Sequence, residues 1–355
     1  MAEAQSMVRG RGLTRLAAKG AGFVIAGMAG LVAFAACQTP HTFAGFEPEV
    51  PPVPRFEIED ERFITFDGAE LGLTVWEAAE ETLVDGGPEI VIVGLHGMND
   101  YANAFHMAAP YWAERGVTTY AYDQRGFGRS AGRGEWPEEE DMREDLRAAV
   151  DVVRGQHPDA TLAVVGISMG GAVTMSAFGS DRPPVGVDRV VFSGPGLRGW
   201  GSIPLVQQAA LWISARVRPG WDVRPPRFVK IEPSDNVEML QRLWSDPLGL
   251  RQNDISQVHG VVSVMESAHD AAAKLPSDVP MLLTYGARDI VIPERGVKRT
   301  AKVMAPHVRT AYYPEGYHML LRDLQAETVF EDVLAFLRDP EADLPSGVGE
   351  VPGRD

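Results

Sequence analysis

The chain has 355 residues, 45% of them hydrophobic and 23% charged, proportions that exclude collagen, coiled coil and long disorder. A single cysteine, Cys37, excludes an intramolecular disulfide and a cysteine metal cluster, and a chain this long buries enough surface to fold without disulfide staples. The net charge of −16 argues against nucleic acid as a partner, because phosphate binding wants Lys and Arg on a shared face.

Charge is unevenly spread. Arg9, Arg11, Arg15 and Lys19 face only Glu3 within residues 1–36, so a small basic head precedes an acidic body. An uncharged run, Gly20 to Ala36, follows the cations and ends at Cys37. Cations, an apolar stretch and small residues in that order form the pattern of a secretory signal over residues 1–36. The run is short and rich in Gly and Ala, which makes it marginal as a permanent span. Phe34-Ala35-Ala36-Cys37 resembles the lipobox of bacterial lipoproteins. The resemblance implies lipidation of Cys37, with enough acyl chains for stable anchoring. Gln38 stands where an Asp would signal inner-membrane retention. The expected location is therefore the bacterial cell envelope, at the outer membrane facing the periplasm. Residues 38–57 hold five prolines and no helical period, and residues 37–60 read as a Pro-rich extended tether.

From residue 61 short β-rich runs alternate with helical ones. Strands are expected at Phe63–Phe66, Leu73–Glu77, Ile90–Leu95, Thr118–Tyr122, Leu162–Val165, Val190–Phe192, Met281–Tyr285 and Thr310–Tyr313. Helices are expected around 102–115, 138–155, 169–179, 294–304 and 322–338. Continuous apolar strands alternating with helices predict an α/β fold: a mostly parallel, eight-stranded sheet with helices on both faces. Ligands then bind beyond the carboxyl ends of the strands. Residues 197–275 break the alternation and hold four of the seven tryptophans, Trp200, Trp212, Trp221 and Trp244. They read as a helical cap between two core segments, 61–196 and 276–338. The wide apolar face around Val206, Ala210, Ile213 and Val217 fits either a thick helical core or a lid over a greasy pocket or lipid. Trp212 and Trp244 are the candidate substrate contacts. The tail 339–355 is polar, with Pro and Gly, and is expected to be disordered.

After the fifth expected strand comes Gly166-Ile167-Ser168-Met169-Gly170-Gly171, a G-x-S-x-G match between a buried strand and a small-residue helix. The glycines suit a turn too tight for flanking Cβ atoms, and the turn presents Ser168 at a helix N-terminus. A serine nucleophile needs a base, and the base an orienting carboxylate. In this architecture the chain order is Ser, acid, His. Asp289 ends one late strand and His318 lies in the loop after the next. His96 is the rival base, but it precedes the serine. Asp123 also ends a strand before Ser168 and reads as a loop brace. The backbone amides of Met169 and, beyond Gly97, of Met98 are the expected oxyanion donors.

These motifs resemble the α/β-hydrolase superfamily, and within it the monoacylglycerol lipase/lysophospholipase group. The residues that carry the likeness are His96-Gly97-Met98, Asp123 through Ser130, Gly166–Gly171, Asp289 with Pro293, His318, and Ser245-Asp246-Pro247-Leu248 in the insertion. The resemblance implies Ser168 as nucleophile, His318 as base and acid, Asp289 as orienter and residues 197–275 as a cap. No metal or organic cofactor is implied. The expected activity is hydrolysis of a single-chain lipid ester such as a monoacylglycerol or lysophospholipid. Small non-lipid esters, thioesters and a non-catalytic binding lipoprotein are the alternatives.

Overall fold

The computed structural model describes residue 32 and residues 35–43, 45–223 and 232–354. The four N-terminal cations, nearly all of the apolar run before Cys37, and residues 224–231 of the expected cap lie outside the described residues. Among those described, no helix is long and apolar enough to cross a membrane.

A nine-stranded sheet forms the centre. Its strands are β1 (Arg55–Glu57), β2 (Arg62–Ile64), β3 (Glu70–Trp76), β4 (Ile90–Leu95), β5 (Val117–Tyr122), β6 (Thr161–Ile167), β7 (Arg189–Ser193), β10 (Met281–Gly286) and β11 (Arg309–Tyr313). A separate two-residue pair joins β8 (Asp222–Val223) to β9 (Asn253–Asp254). The spatial order is β1-β2-β3-β5-β4-β6-β7-β10-β11. From β5 to β11 every pairing is parallel, while β1, β2 and β3 add an antiparallel edge. All eight expected strands are present. The ninth, β1, lies inside the stretch read as tether. Its Phe56 stacks on Tyr120 and packs edge-on against Phe63, so one buried aromatic draws a Pro-rich segment onto the sheet.

Parallel pairing needs both faces covered. Along β4, Val91, Val93 and Leu95 join one apolar core, while Ile90 and Ile92 join the other. The helices are α1 (Ala108–Ala113), α2 (Glu139–Gln156), α3 (Met169–Phe178), α4 (Leu205–Val217), α5 (Val237–Ser245), α6 (Ile255–Ala271), α7 (Glu294–Ala301) and α8 (Ala326–Arg338). Local signals set their ends. Glu139, Glu140 and Asp141 lie in the first turn of α2, where the helix dipole favours anions. Asp254 and Gln257 form a capping box at the start of α6.

Two expectations are corrected. The tail 339–355 was expected to be disordered, but it is docked through residue 354. Leu344 and Val351 are buried, Gly349 O accepts from Tyr312 N–H, and Val351 N–H donates to Thr310 Oγ1. Two apolar side chains and the open edge of β11 outweigh a polar composition. The expected cap also extends too far. Helix α6 buries Gly260, Val264, Ala268 and Ala271 and packs on α3 as part of the core layer. A Cβ at Gly260 would lie 2.1 Å from Trp136 Nε1, and one at Gly179 2.5 Å from Ala271 O. That closeness fixes α6 to the body and leaves α4 and α5 as the helices above the site.

Candidate active site

The chain reverses its direction of strand addition at β4, with β5 on one side and β6 on the other, and crevices for ligands form at such points. Ser168 follows β6 directly and caps α3, with φ 50° and ψ −114°. Positive φ is costly for a residue with a Cβ. The turn persists because both flanks are pinned: Ser168 N–H donates to Ser193 O, and Gly170 N–H to His96 O. A Cβ on Gly170 would lie 2.4 Å from Leu95 O, so only glycine fits there.

The structure brings the three expected side chains together. His318 Nε2 lies 2.9 Å from Ser168 Oγ. His318 Nδ1 lies 2.7 Å from Asp289 Oδ2. Asp289 Oδ1 accepts from Val291 N–H and Ile292 N–H, each at 2.8 Å, which holds the carboxylate in one orientation. All three side chains are buried at the carboxyl ends of β6, β10 and β11. The arrangement can pass a proton from the hydroxyl to the imidazole while the carboxylate faces the far ring nitrogen.

Met169 follows Ser168 directly, and Met98 follows Gly97, whose loop approaches the serine. Met169 is the first residue of α3, where a backbone N–H has no partner within the helix. Met98 N–H meets no protein acceptor among the described residues. Gly97 brings its loop close, since a Cβ there would stand 3.1 Å from Ser168 Cβ.

The rival base and acid are occupied elsewhere. His96 is fully buried, takes Gln124 N–H on Nε2 and donates from Nδ1 to Gly97 O. Burial pushes its pKa down, so it is a neutral brace. Asp123 accepts from Ala102 N–H and from both the backbone and the guanidinium of Arg129, which is the bracing role expected of it. Arg125, in the same loop, is wholly buried between Asp67 and Asp145 with two hydrogen bonds to each.

Sequence reasoning missed the frame that joins the loops. Arg322, four residues after His318, forms a buried ion pair with Asp100, two residues after Met98. Asp323 accepts from Tyr317 N–H. Residues near α5 clasp both loops: Leu250 N–H donates to Asn99 O, Met319 N–H to Pro233 O, and Asn236 Nδ2 to Arg322 O. The only available signal was charge at fixed offsets from His96 and His318, which has no period to mark it.

Two cavities adjoin the site. One of about 180 Å³ lies between Met98, Met319, Leu243 and Trp244. A mainly apolar groove of about 540 Å³ runs between α4 and α6 to Val291 and Ile292, the residues that hold Asp289. Its Met265 packs beside Gly196, whose N–H donates to Ser168 O. Trp244 thus lines a cavity that reaches the Met98 loop. Trp212 does not share either space; it lines a separate groove on the outer side of α4.

The chain resembles known proteins over most of its length. Residues 86–325 match the family described as Serine aminopeptidase, S33. The chain is similar to the Monoacylglycerol lipase of Mycolicibacterium smegmatis, 28% identical over 258 residues, which spans 71% of this chain and 89% of that protein. It is 24% identical to the Monoglyceride lipase of Mus musculus over 267 residues, 75% of this chain and 85% of that one. Among solved structures, a soluble variant of the Saccharomyces cerevisiae monoglyceride lipase, in complex with a substrate analog, superposes with a TM-score of 0.66 at 16% identity. It covers 88% of this chain and 100% of its own. The Paleococcus ferrophilus monoacylglycerol lipase gives a TM-score of 0.60 at 21% identity, covering 76% of this chain and 98% of its own. The chain belongs to the serine aminopeptidase S33 family, as a serine ester hydrolase with the α/β-hydrolase fold and a place in the monoacylglycerol lipase-like group.

Proposed function

We propose that the protein hydrolyses single-chain lipid esters, monoacylglycerols or lysophospholipids, through an acyl-enzyme on Ser168. Ser168 Oγ attacks the ester carbonyl as His318 Nε2 takes its proton. The carbonyl oxygen becomes an oxyanion and receives the amides of Met98 and Met169, worth about 3 kcal/mol per donor. The C–O bond to the alcohol breaks, and His318 returns the proton to the leaving oxygen. A water activated by the same imidazole then splits the acyl-enzyme and releases the fatty acid. Asp289 holds the resting ring in the tautomer that accepts on Nε2 and stabilises the imidazolium once the proton has moved.

The observation that carries this reading is an apolar groove whose wall includes Val291 and Ile292, the residues whose amides hold Asp289 beside His318. The 2.9 and 2.7 Å contacts supply the chemistry, and the space of about 540 Å³ between α4 and α6 supplies room for one acyl chain. The relatives named as monoacylglycerol and monoglyceride lipases favour the same substrate class. Cys37, which is exposed, carries the lipid anchor in this reading and holds the enzyme at the cell envelope.

The test is a panel of monoacylglycerols, lysophospholipids, acyl thioesters and short p-nitrophenyl esters. Turnover of the lipid esters with a preference for long chains supports the proposal. Turnover of short esters or thioesters alone overturns the lipid assignment.

A further inference from the structure

The cavity of about 180 Å³ that touches Met98 and Met319 has one cation in its wall, Arg251. Arg251 is exposed and meets no acidic partner among the described residues. Residues 224–231, outside that set, hold Arg224, Arg227 and Lys230 and no acid, so they offer no counter-ion either. On a chain with 49 Asp and Glu against 33 Lys and Arg, an unneutralised guanidinium beside the catalytic loops is the exception.

Its place is fixed by the loop after α5. Leu250 N–H, next to Arg251, donates to Asn99 O, next to Met98. Tyr101 Oη donates to Asp246 Oδ2 at 2.7 Å, and Arg133 donates to Pro247 O and Leu248 O. The segment from Asp246 to Arg251 is thereby sewn to the loop that follows Met98. Across the cavity, Met319 N–H donates to Pro233 O. The carboxylates close by are committed. Asp100 is paired with the buried Arg322, and Asp246 accepts from Tyr101 and from Leu248 N–H. The positive charge of Arg251 is therefore left for a ligand.

The two halves of an ester make different demands. The acyl carbon bonds to Ser168 Oγ, and its chain wants an apolar space such as the groove with Met265 and Val291. The leaving oxygen must face His318 Nε2, which gives it a proton. The cavity whose wall includes Met319, the next residue, suits the alcohol half. A guanidinium in that wall favours an alcohol that carries an anion, and its planar fork matches a phosphate. In a lysophospholipid the phosphorus stands five bonds from the leaving oxygen, about 6 Å when extended. A space of about 180 Å³ has a span of that order. The glycerol of a monoacylglycerol has no charge to set against the guanidinium.

We infer that this cavity is the leaving-group subsite and that Arg251 is a specificity-determining residue, binding the phosphate of a glycerophospho leaving group. Lysophospholipids are then preferred over monoacylglycerols. This inference rests on the lipid-ester reading above and selects within it.

The test uses the full chain in nonionic detergent micelles. The value of kcat/KM is measured on oleoyl lysophosphatidylglycerol and on monooleoylglycerol for the parent, Arg251→Gln and Arg218→Gln. Arg218, which stacks on Trp221, loses the same charge outside the cavity. The parent should favour the lysophospholipid. The ratio of the two values should fall tenfold or more in Arg251→Gln and stay within twofold in Arg218→Gln. A ratio unmoved by Arg251→Gln, or lowered equally by both changes, overturns the inference. A second readout needs no lipid: inhibition of p-nitrophenyl butyrate hydrolysis by glycerol 3-phosphate, whose inhibition constant should rise tenfold or more in Arg251→Gln. No inhibition of the parent, or inhibition that Arg251→Gln does not weaken, also overturns the subsite. A parent that hydrolyses neither lipid yet shows the Arg251-dependent inhibition contradicts the lipid-ester reading and upholds the phosphate site.

Discussion

His318 and Ser168 are 150 residues apart in the chain, and 2.9 Å separates Nε2 from Oγ. Two parallel strands and a strained turn create that proximity. β6 delivers the serine at positive φ, and β11 ends where its following loop can reach back over the sheet edge. The fixed partners of Asp289 then decide which imidazole nitrogen faces the hydroxyl.

That dependence gives the first prediction. Asp289→Asn keeps the size of the side chain but offers an amide where the imidazole needs an acceptor. The expected loss in kcat is on the order of 10⁴, the scale seen when such an orienting carboxylate is neutralised. KM should change little. Steady-state kinetics on a soluble p-nitrophenyl ester checks this, and a loss below tenfold would remove Asp289 from the mechanism.

Asp100 and Arg322 form a buried pair that ties the Met98 loop to the His318 loop. Arg322→Met leaves the Asp100 carboxylate buried without its cation and should cost about 3–5 kcal/mol in urea unfolding. Adding Asp100→Asn removes the stranded charge, so the double variant should recover part of that loss. Strict additivity of the two single changes would show that the pair is not coupled.

Burial lifts the Asp323 carboxyl from an ordinary 3.8 to about 6. The folded chain therefore holds this proton more tightly than the unfolded one. The resulting stability is complete below about pH 4 and is lost as pH rises through 6. Asp323→Asn cannot ionise, so its stability relative to the parent should improve between pH 4.5 and 7.5, by about 1–3 kcal/mol. Paired denaturation curves at those two values measure the difference. A relative stability that stays constant, or falls with pH, refutes the assignment.

Ser214 lines the groove between α4 and α6. Ser214→Trp should fill the distal space while sparing Ser168. The expected outcome is a fall of tenfold or more in kcat/KM for dodecanoyl esters, with acetate esters within twofold of the parent. A matched loss on both chain lengths would place the acyl chain elsewhere.

Much of this was legible in the residues because it is local. A buried strand, a glycine pair and a small-residue helix specify the Ser168 turn from one short stretch, and strand ends marked Asp289 and His318. The Asp100–Arg322 clasp was not legible, because nothing periodic signals a contact between loops 222 residues apart. The tail misled for a related reason: its polar composition hid two apolar side chains, Leu344 and Val351, that find a place on the core. Helix α6 read as cap because its apolar positions cannot say which neighbour they face; the packing of Gly260 on Trp136 decides that. Trp212 and Trp244 look equivalent in sequence, and only the placement of their two helices, α4 and α5, sends them to different grooves.

The most direct test of the central claim is mass spectrometry of the protein after reaction with a fluorophosphonate, alongside the same treatment of Ser168→Ala. The account expects one adduct per chain, located on Ser168, with complete loss of ester hydrolysis, and no adduct on the alanine variant. Stable labelling at another residue, or esterase activity that survives Ser168→Ala, would contradict it.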